Sequence, residues 1–264
     1  MRLLNTKTLQ IVEFLGRNIP EYVILSHTWG DEEVIFQDVQ QSKVSEKKGY
    51  AKIQGFCKKA AEDGFQYGWV DTCCIDKTSS AELSEAINSM YNWYKGSRIC
   101  YAYLADFEMT VGGVGDHYRG FIASRWWSRG WTLQELLAPE TVEFYDSNWN
   151  EVGTKLSLQD QIAEITGIDR RILGGADPFG VNVAVRMSWA AQRETTRIED
   201  QAYCLMGLFR VNMPLLYGEG KRAFLRLQEE IMRIREDYTL FVCGLGISRP
   251  QQGLLRGVSA VYRS

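Results

Sequence analysis

Short apolar runs alternate with amphipathic segments along the first half of the chain. Four runs are predicted as strands, and the first of them has the near-continuous apolar character of a strand buried on both faces. They cover residues 22–27, 67–75, 99–104 and 141–146. Between them, apolar residues recur with helical spacing over 51–63, after Ser79 and over 123–138. Strand and helix thus alternate four times, which predicts an α/β fold with a parallel sheet and helices on both faces.

Polar and helix-breaking residues mark the ends of these elements. Ser79 and Glu82 have the spacing of a capping box, which predicts the start of a helix. Gly64 closes the helix over 51–63, and Pro139 stops the helix over 123–138. The segment 106–120 is rich in glycine, so we expect a surface loop there.

Helical periodicity dominates the chain after about residue 155. The predicted elements are helices over 158–167, 183–192, 198–209 and 221–237 and a short strand over 239–245. No linker rich in proline or serine separates the two halves. We therefore expect one structural unit, with an α/β core over 1–150 and a helical extension over 151–264 packed on that core.

Composition and charge exclude several classes of protein. Hydrophobic residues make up 45% and charged residues 24% of the 264-residue chain, as in ordinary soluble domains. The net charge is −3 and no basic run occurs, so we expect no nucleic-acid partner. No apolar segment is long enough for a membrane span, and the amino terminus lacks the features of a signal peptide. These features predict a cytoplasmic protein.

The cysteines predict buried thiols and no metal site. The chain has six cysteines at irregular positions, of which Cys73 and Cys74 are adjacent, and no C-x-x-C pair occurs. Only His27 and His117 are available as imidazole ligands. A zinc site is therefore not expected, and reduced cysteines that act as small hydrophobic residues are the favoured interpretation.

Polar residues follow the first two predicted strands. Ligands of open parallel sheets gather beyond the carboxyl ends of the strands. The residues placed there are Ser26, His27, Thr28, Trp29, Asp71 and Thr72.

The segment RGWTLQELL adds a carboxylate and an aromatic ring to this set. Glu135 follows Trp131 by four residues, so the two side chains share one face of a helix. A carboxylate beside an aromatic plane suits the oxocarbenium-like transition state of glycosidic bond cleavage.

Five motifs resemble the fungal heterokaryon-incompatibility (HET) domain in content and order. They cover roughly residues 20–241 and read YVILSHTWGDEE, WVDTCCIDK, ELSEAINSMYNWY, RGWTLQELLAP and EDQAYCLMGLFRVNMPLLYGEG. The resemblance implies a role in non-self recognition and programmed cell death. It also implies that the chain is the amino-terminal effector of a longer receptor, fused to a nucleotide-binding NACHT module and a WD-repeat sensor.

The same order of elements is similar to that of TIR domains, which implies a TIR-like or flavodoxin-like sheet. In TIR domains that cleave NAD+, a W-x-x-x-E motif carries the catalytic glutamate. On this chain that motif corresponds to Trp131 and Glu135, and SHTWGDEE takes the place of the first TIR loop.

The leading hypothesis is that the domain, once it self-associates, hydrolyses the nicotinamide–ribose bond of NAD+. NAD+ is then the substrate, and no cofactor or metal is expected. Glu135 is the expected catalytic residue. The expected substrate-binding residues are Ser26, His27, Thr28, Trp29, Gly30, Asp71, Arg129 and Trp131.

Purely structural roles are the alternatives to these catalytic and substrate-binding assignments. Glu135 is equally interpreted as a helix-surface carboxylate or as a partner of Arg129 or Arg125. His27 is favoured as a structural residue that fixes its loop, and Asp71 as an acceptor for backbone N–H groups. We also expect Trp126 and Trp127 to be core residues and Glu219 to be a turn residue.

Two other functions are open at this point. The first is a non-enzymatic death-signalling adaptor that oligomerises and recruits partners. The second is a cysteine hydrolase that uses Cys73 or Cys74 with His27, for which no third positioned group is evident. No P-loop motif occurs, so this domain is not expected to bind ATP in that manner.

Overall fold

Seven strands form one sheet in the computed structural model, which describes residues 1–16, 18–109 and 114–234. The strands are β1 (Arg2–Asn5), β2 (Ile11–Glu13), β3 (Val23–His27), β4 (Tyr67–Trp69), β5 (Ile99–Tyr103), β6 (Val142–Tyr145) and β7 (Glu151–Thr154).

Helices connect and flank these strands. Those of the first half are α1 (Phe36–Gln40), α2 (Tyr50–Glu62), α3 (Asp71–Cys74), α4 (Ser80–Gly96), α5 (Val114–Ala123) and α6 (Thr132–Leu137). Those of the second half are α7 (Gln159–Thr166), α8 (Arg170–Leu173), α9 (Val183–Ser188), α10 (Asp200–Tyr203), α11 (Met206–Phe209) and α12 (Arg222–Ile234). Short 3₁₀ turns occur at Val44–Glu46, Arg125–Ser128 and Pro178–Gly180.

The sheet has the order β2-β1-β4-β3-β5-β6-β7. Its four central strands are parallel, whereas β2, β1 and β7 pair antiparallel at the edges. Counted along the chain, the parallel strands lie in the order second, first, third, fourth, which is the flavodoxin-like order. The prediction of an α/β fold with a parallel core is confirmed.

Helices cover both faces of the sheet. Leu25 pairs with Tyr101, and the Tyr101 hydroxyl donates to Asp63 at the end of α2. The next position, Ser26, points to the opposite face and contacts Trp126 and Glu135 of the segment around α6. The strand β3 is therefore buried on both sides, which explains its continuous apolar character.

Two predicted elements are shorter than the sequence suggests. The run 67–75 is a strand only as far as Trp69, after which Asp71–Cys74 turn into α3. The helix predicted over 123–138 is broken into a 3₁₀ turn and α6. The break occurs because the backbone on either side of Arg129 bonds Glu194: its N–H donates to the Ser128 carbonyl and its carbonyl accepts from Gly130.

Other differences concern loops and edges. The segment 106–120, expected as a surface loop, enters helix α5, and the helix predicted over 198–209 is divided into α10 and α11. The edge strands β1, β2 and β7 were not predicted. Because β7 pairs with β6, the sheet continues past residue 150 into the expected helical extension.

The second half packs against the first at several points. Helix α11 contacts α4, and the Asn88 side chain bonds the backbone of Met213 in both directions. The strand predicted over 239–245 lies outside the described residues. Within the described ranges, no helix combines the length and apolar character that crossing a membrane requires.

Candidate functional site

A pocket of about 320 Å³ lies at the carboxyl ends of β3 and β4, between the two halves of the chain. Its polar and aromatic lining comprises His27, Trp29, Asp71, Lys77, Tyr94, Arg129, Trp131, Thr132, Glu135, Thr196, Arg197, Asp200 and Tyr217. Its apolar lining comprises Ile75, Leu83, Ile87 and Met90. We call it the Glu135 pocket. Its position beside the first parallel strand is where open α/β sheets hold their ligands.

Glu135 is held in the pocket by groups of the central sheet. The Ser26 hydroxyl donates to its carboxyl at 2.5 Å and accepts from the Trp126 indole at 2.8 Å. The Tyr94 hydroxyl lies between the Glu135 carboxyl and the Leu25 carbonyl, which it contacts at 3.1 Å. Only 7% of Glu135 is exposed. The carboxyl is therefore oriented by two hydroxyl groups.

The ion pairs weighed for Glu135 from the sequence are not formed in the described part of the chain. Arg125 pairs with Asp106, and Arg129 donates to the Thr196 hydroxyl at 3.1 Å. Glu135 and Trp131 both line the pocket, as their four-residue spacing predicts. Trp131 directly precedes α6 with helical backbone angles, so the i, i+4 relation persists across the first turn.

The proton on Glu135 is held unusually tightly. Burial raises the pKa of this carboxyl to about 8, and the charge of Asp71 adds to the rise, whereas the hydrogen bonds with Ser26 and Tyr94 lower it. At neutral pH the carboxyl is therefore mostly protonated. A cationic ligand beside it lowers the pKa and favours the carboxylate.

The buried His27 ring lies between two charged side chains, Asp71 and Lys52. Its Nε2 lies 3.0 Å from Asp71 and its Nδ1 lies 2.7 Å from the ammonium of Lys52, which also donates to Glu33. Since an ammonium only donates, Nδ1 accepts and the ring proton is on Nε2. Burial and the charge of Lys52 lower the pKa of His27, so the ring is neutral. This arrangement supports the structural role favoured for His27.

Asp71 joins three side chains at the mouth of the pocket. Besides His27, it accepts from the Trp29 indole at 3.0 Å and from Lys77 at 3.3 Å. The Lys77 ammonium lies 3.5 Å from the centre of the Trp29 ring. Burial raises the pKa of Asp71, but Lys77 and the bond from His27 outweigh it and hold the pKa below its ordinary value. Of these two carboxyl groups of the pocket lining, Asp71 is thus ionised and Glu135 is mostly protonated at neutral pH.

Residues from the second half of the chain complete the pocket lining. The Tyr217 hydroxyl donates to Asp200 at 2.9 Å, and the Trp131 indole is a second hydrogen-bonding partner of Asp200. The Arg197 guanidinium stacks 4.4 Å from the centre of the Tyr217 ring. Trp131 of the first half thus meets Asp200, Tyr217 and Arg197 of the second half in this part of the pocket.

Several residues expected to bind substrate do not line the pocket. Ser26 and Thr28 are buried outside the lining, and Ser26 reaches the pocket only through its hydrogen bond to Glu135. Gly30 is exposed, and its N–H donates to Glu33. The remaining expected residues, His27, Trp29, Asp71, Arg129, Trp131 and Glu135, line the pocket together.

The structural roles assigned to two tryptophans and one glutamate agree with the structure. Trp126 and Trp127 are buried in the core. Glu219 lies in the turn between two glycines of positive φ, before α12, and pairs with Arg226.

Lys77, Tyr94, Thr196, Arg197, Asp200 and Tyr217 also line the pocket, although no ligand role was predicted for them. Tyr94, Asp200 and Tyr217 belong to the same motifs that carry the family resemblance, which is the signal that points to them. Thr196 and Arg197 stand in a segment without any motif, so only the folded chain reveals their position.

The thiol chemistry considered for Cys73 has little support. Cys73 is fully buried, does not line the pocket and donates to the Val34 carbonyl. Burial raises the pKa of its thiol, as it raises that of Cys74 to about 12, so both remain protonated. Within the described ranges, no three His, Cys, Asp or Glu side chains group as metal ligands.

Comparisons with known proteins agree with the resemblance seen in the motifs. Residues 22–118 match the family model described as Heterokaryon incompatibility protein (HET). Vegetative incompatibility protein HET-E-1 of Podospora anserina is 46% identical over 219 residues. That alignment covers 81% of this chain, and the chain spans 16% of that relative's length. No solved structure matches. The family model covers the pocket residues from His27 to Tyr94 and ends before Glu135.

Proposed function

The chain contains a heterokaryon incompatibility (HET) domain, and from this premise we propose that it is a cell-death effector that hydrolyses the nicotinamide–ribose bond of NAD+. The observation that carries the proposal is the position of Glu135. Its carboxyl is oriented by hydroxyl groups in a pocket at the strand ends, and Trp131 lines the same pocket. A carboxyl group against an aromatic plane suits a cationic sugar transition state.

The reaction needs little acid catalysis. The C1′–N1 bond breaks and its electron pair leaves with nicotinamide, which becomes neutral, while the ribose gains oxocarbenium character. A water molecule then forms the new bond to C1′ and loses a proton. The products are ADP-ribose, nicotinamide and one proton. Stabilisation of the developing positive charge is the main contribution required of the protein.

Glu135 is proposed to provide that stabilisation. In the free domain its carboxyl is mostly protonated at neutral pH, because burial raises its pKa to about 8. The cationic nicotinamide ring favours loss of this proton when it enters the pocket. The resulting carboxylate faces the ribose, holds its hydroxyl groups and receives the proton of the attacking water.

The other pocket residues are proposed to bind and orient the substrate. Asp71 stays ionised and attracts the cationic ring. Trp131 and the half-exposed Trp29 offer aromatic planes for a base. Ser26 acts as a positioning residue, since it touches the Glu135 carboxyl and does not line the pocket.

We further propose that activity depends on self-association within a longer cytoplasmic receptor. The chain spans 16% of the length of the incompatibility protein it resembles, which supports a role as one module of a larger protein. A NACHT module and a WD-repeat sensor are the proposed additional parts, and oligomerisation through them is the proposed trigger.

The test measures the release of nicotinamide from NAD+ by the domain. The domain is fused to a multimerising partner, so that it is assembled in every sample. Wild type is compared with Glu135→Gln and with the control Glu229→Gln, which changes a carboxyl exposed on α12 outside the pocket. We expect release by wild type and by Glu229→Gln, and its loss in folded Glu135→Gln. Each fusion is also expressed in fungal cells to score death.

The outcomes separate the two classes of function. Death that follows NAD+ loss, with both abolished by Glu135→Gln, supports the enzyme. If the assembled wild type kills cells and releases no nicotinamide, the domain is an adaptor and the proposal is wrong.

A further inference from the structure

We propose that Arg129 and Arg197 form a subsite for the diphosphate group of a nucleotide in the Glu135 pocket, where the segment of Arg129 from the first half of the chain meets that of Arg197 from the second half. The inference deepens the proposed function and rests on it for the identity of the nucleotide. It concerns the cationic side chains of the pocket and not the Glu135 carboxyl, and it is tested by binding as well as by turnover.

The charges of the pocket single out these two residues. Lys77, Arg129 and Arg197 are the cationic side chains of its lining. Lys77 is paired with Asp71 and lies over the Trp29 ring. Neither arginine takes part in an ion pair among the described residues. Asp200 and Glu135 of the same pocket interact with Arg197 and Arg129 electrostatically, but no carboxylate in the described part of the chain lies within ion-pair distance of either guanidinium. The N–H groups of both arginines are therefore available to an anionic ligand in the pocket.

The backbone holds the segments of both arginines together. Glu194 exchanges two backbone hydrogen bonds with the segment of Arg129, at 2.6 Å and 2.8 Å. The buried Arg193 side chain adds a bond to the Arg129 carbonyl at 2.9 Å and one to the Thr132 hydroxyl at 2.8 Å. Arg197 lies three residues after Glu194, and Thr196 between them bonds the Arg129 side chain, so these contacts keep the segment of Arg197 close to Arg129.

Side-chain contacts orient each guanidinium further. Arg129 donates to the Thr196 hydroxyl, which lines the pocket and keeps its own proton to donate to a ligand oxygen. Arg197 stacks on the Tyr217 ring, and Tyr217 is itself anchored by its bond to Asp200. Stacking fixes the plane of a guanidinium while leaving its N–H groups available. The two side chains are thus partly ordered before any ligand binds.

A diphosphate is the ligand that fits this arrangement. Arginine forks match phosphate oxygens in paired hydrogen bonds, and two guanidinium charges balance the two negative charges of the diphosphate in a dinucleotide. The aromatic rings at the pocket then remain for the flanking bases and riboses. A nucleoside without phosphates makes none of the arginine contacts.

Calorimetric titration of the chain with ADP-ribose and with adenosine tests the subsite. The variants are Arg129→Gln, Arg197→Gln and Arg197→Lys, and the control is Arg125→Gln, which removes an exposed arginine outside the pocket. We expect each glutamine variant in the pocket to weaken ADP-ribose binding by about tenfold or more. Arg197→Lys is expected to lie between wild type and Arg197→Gln. Adenosine binding and the control are expected to stay unchanged.

Equal affinity of wild type and both glutamine variants for ADP-ribose overturns the subsite, as does a wild type that does not bind ADP-ribose. If the assembled domain cleaves NAD+ and neither Arg129→Gln nor Arg197→Gln changes the KM, the subsite is also overturned, whereas the proposed function stands. Conversely, arginine-dependent binding of ADP-ribose in an assembled domain that leaves NAD+ intact supports the subsite while the proposed function fails. Circular dichroism of each variant confirms that its fold is intact.

Discussion

The Ser26 hydroxyl donates a hydrogen bond of 2.5 Å to the Glu135 carboxyl, across 109 residues of sequence. This bond joins the central strand β3 to helix α6, and both partners are buried. Ser26 also accepts from the Trp126 indole, so one hydroxyl satisfies two buried groups. The Ser26 hydroxyl therefore contributes both to the stability of the core and to the pKa of the proposed catalytic carboxyl.

Removal of this hydroxyl is expected to weaken the fold and to raise the pKa of Glu135 further. Ser26→Ala leaves the Trp126 indole N–H without its acceptor and deprives the carboxyl of a donor. We expect a loss of about 1–3 kcal/mol in the free energy of unfolding, measured by urea denaturation. The control Ser188→Ala, at an exposed serine, is expected to change it by less than about 0.5 kcal/mol. Equal losses in both variants contradict this account.

The raised pKa of Glu135 predicts that this residue stabilises the fold less as the pH rises from about 4.5 to about 8. The unfolded carboxyl ionises near 4.5, whereas the folded one keeps its proton up to about 8. Between these values the folded state binds more protons, so through this group the free energy of unfolding falls as pH rises, by at most about 1.4 kcal/mol per pH unit. Below about pH 4.5 the stabilisation by Glu135 is fully present, and above about pH 8 it is fully lost.

Glu135→Gln removes this titrating group. We therefore expect the free energy of unfolding of the variant to rise relative to that of wild type between pH 5 and pH 8. Above pH 8 the difference between the two proteins should stay constant. Urea denaturation at a series of pH values measures it, and parallel curves for the two proteins contradict the raised pKa. A variant that is more stable and inactive fits a site where function opposes stability.

Gly130 is expected to tolerate no side chain. A Cβ at this position meets the Thr195 methyl carbon at 2.5 Å and the Cys204 sulfur at 3.1 Å, at the clamp between the two halves. Gly130→Ala is therefore expected to cost about 1–3 kcal/mol of stability and to weaken ligand binding, since it displaces the segment of Arg197. Gly180→Ala is the matched control, because its Cβ meets no atom within 4 Å. Similar melting temperatures for both variants contradict the prediction.

Cys73→Ala distinguishes the carboxyl mechanism from the thiol mechanism. The thiol is buried, and burial raises its pKa, so it supplies no nucleophile at neutral pH. We expect the assembled variant to release nicotinamide as fast as wild type does, measured beside Glu135→Gln. Loss of release in folded Cys73→Ala favours the thiol instead.

Local patterns predicted the central elements well and the edges poorly. The runs of β3, β5 and β6 are visible because burial on both faces requires continuous apolar residues. β1, β2 and β7 are only three or four residues long and lie toward the edges, where a short run carries little pattern. The break before α6 depends on Glu194, far away in sequence, so no local pattern reveals it.

The sequence by itself determined the family, the α/β core and the pairing of Trp131 with Glu135 on one side of a helix, because these depend on motifs and on residues a few positions apart. Only the tertiary structure decided the strand order, the place of Arg197 and Tyr217 in the pocket lining, and the opposite protonation of Asp71 and Glu135. Those properties arise from contacts between distant segments and from burial, which exist only once the chain has folded.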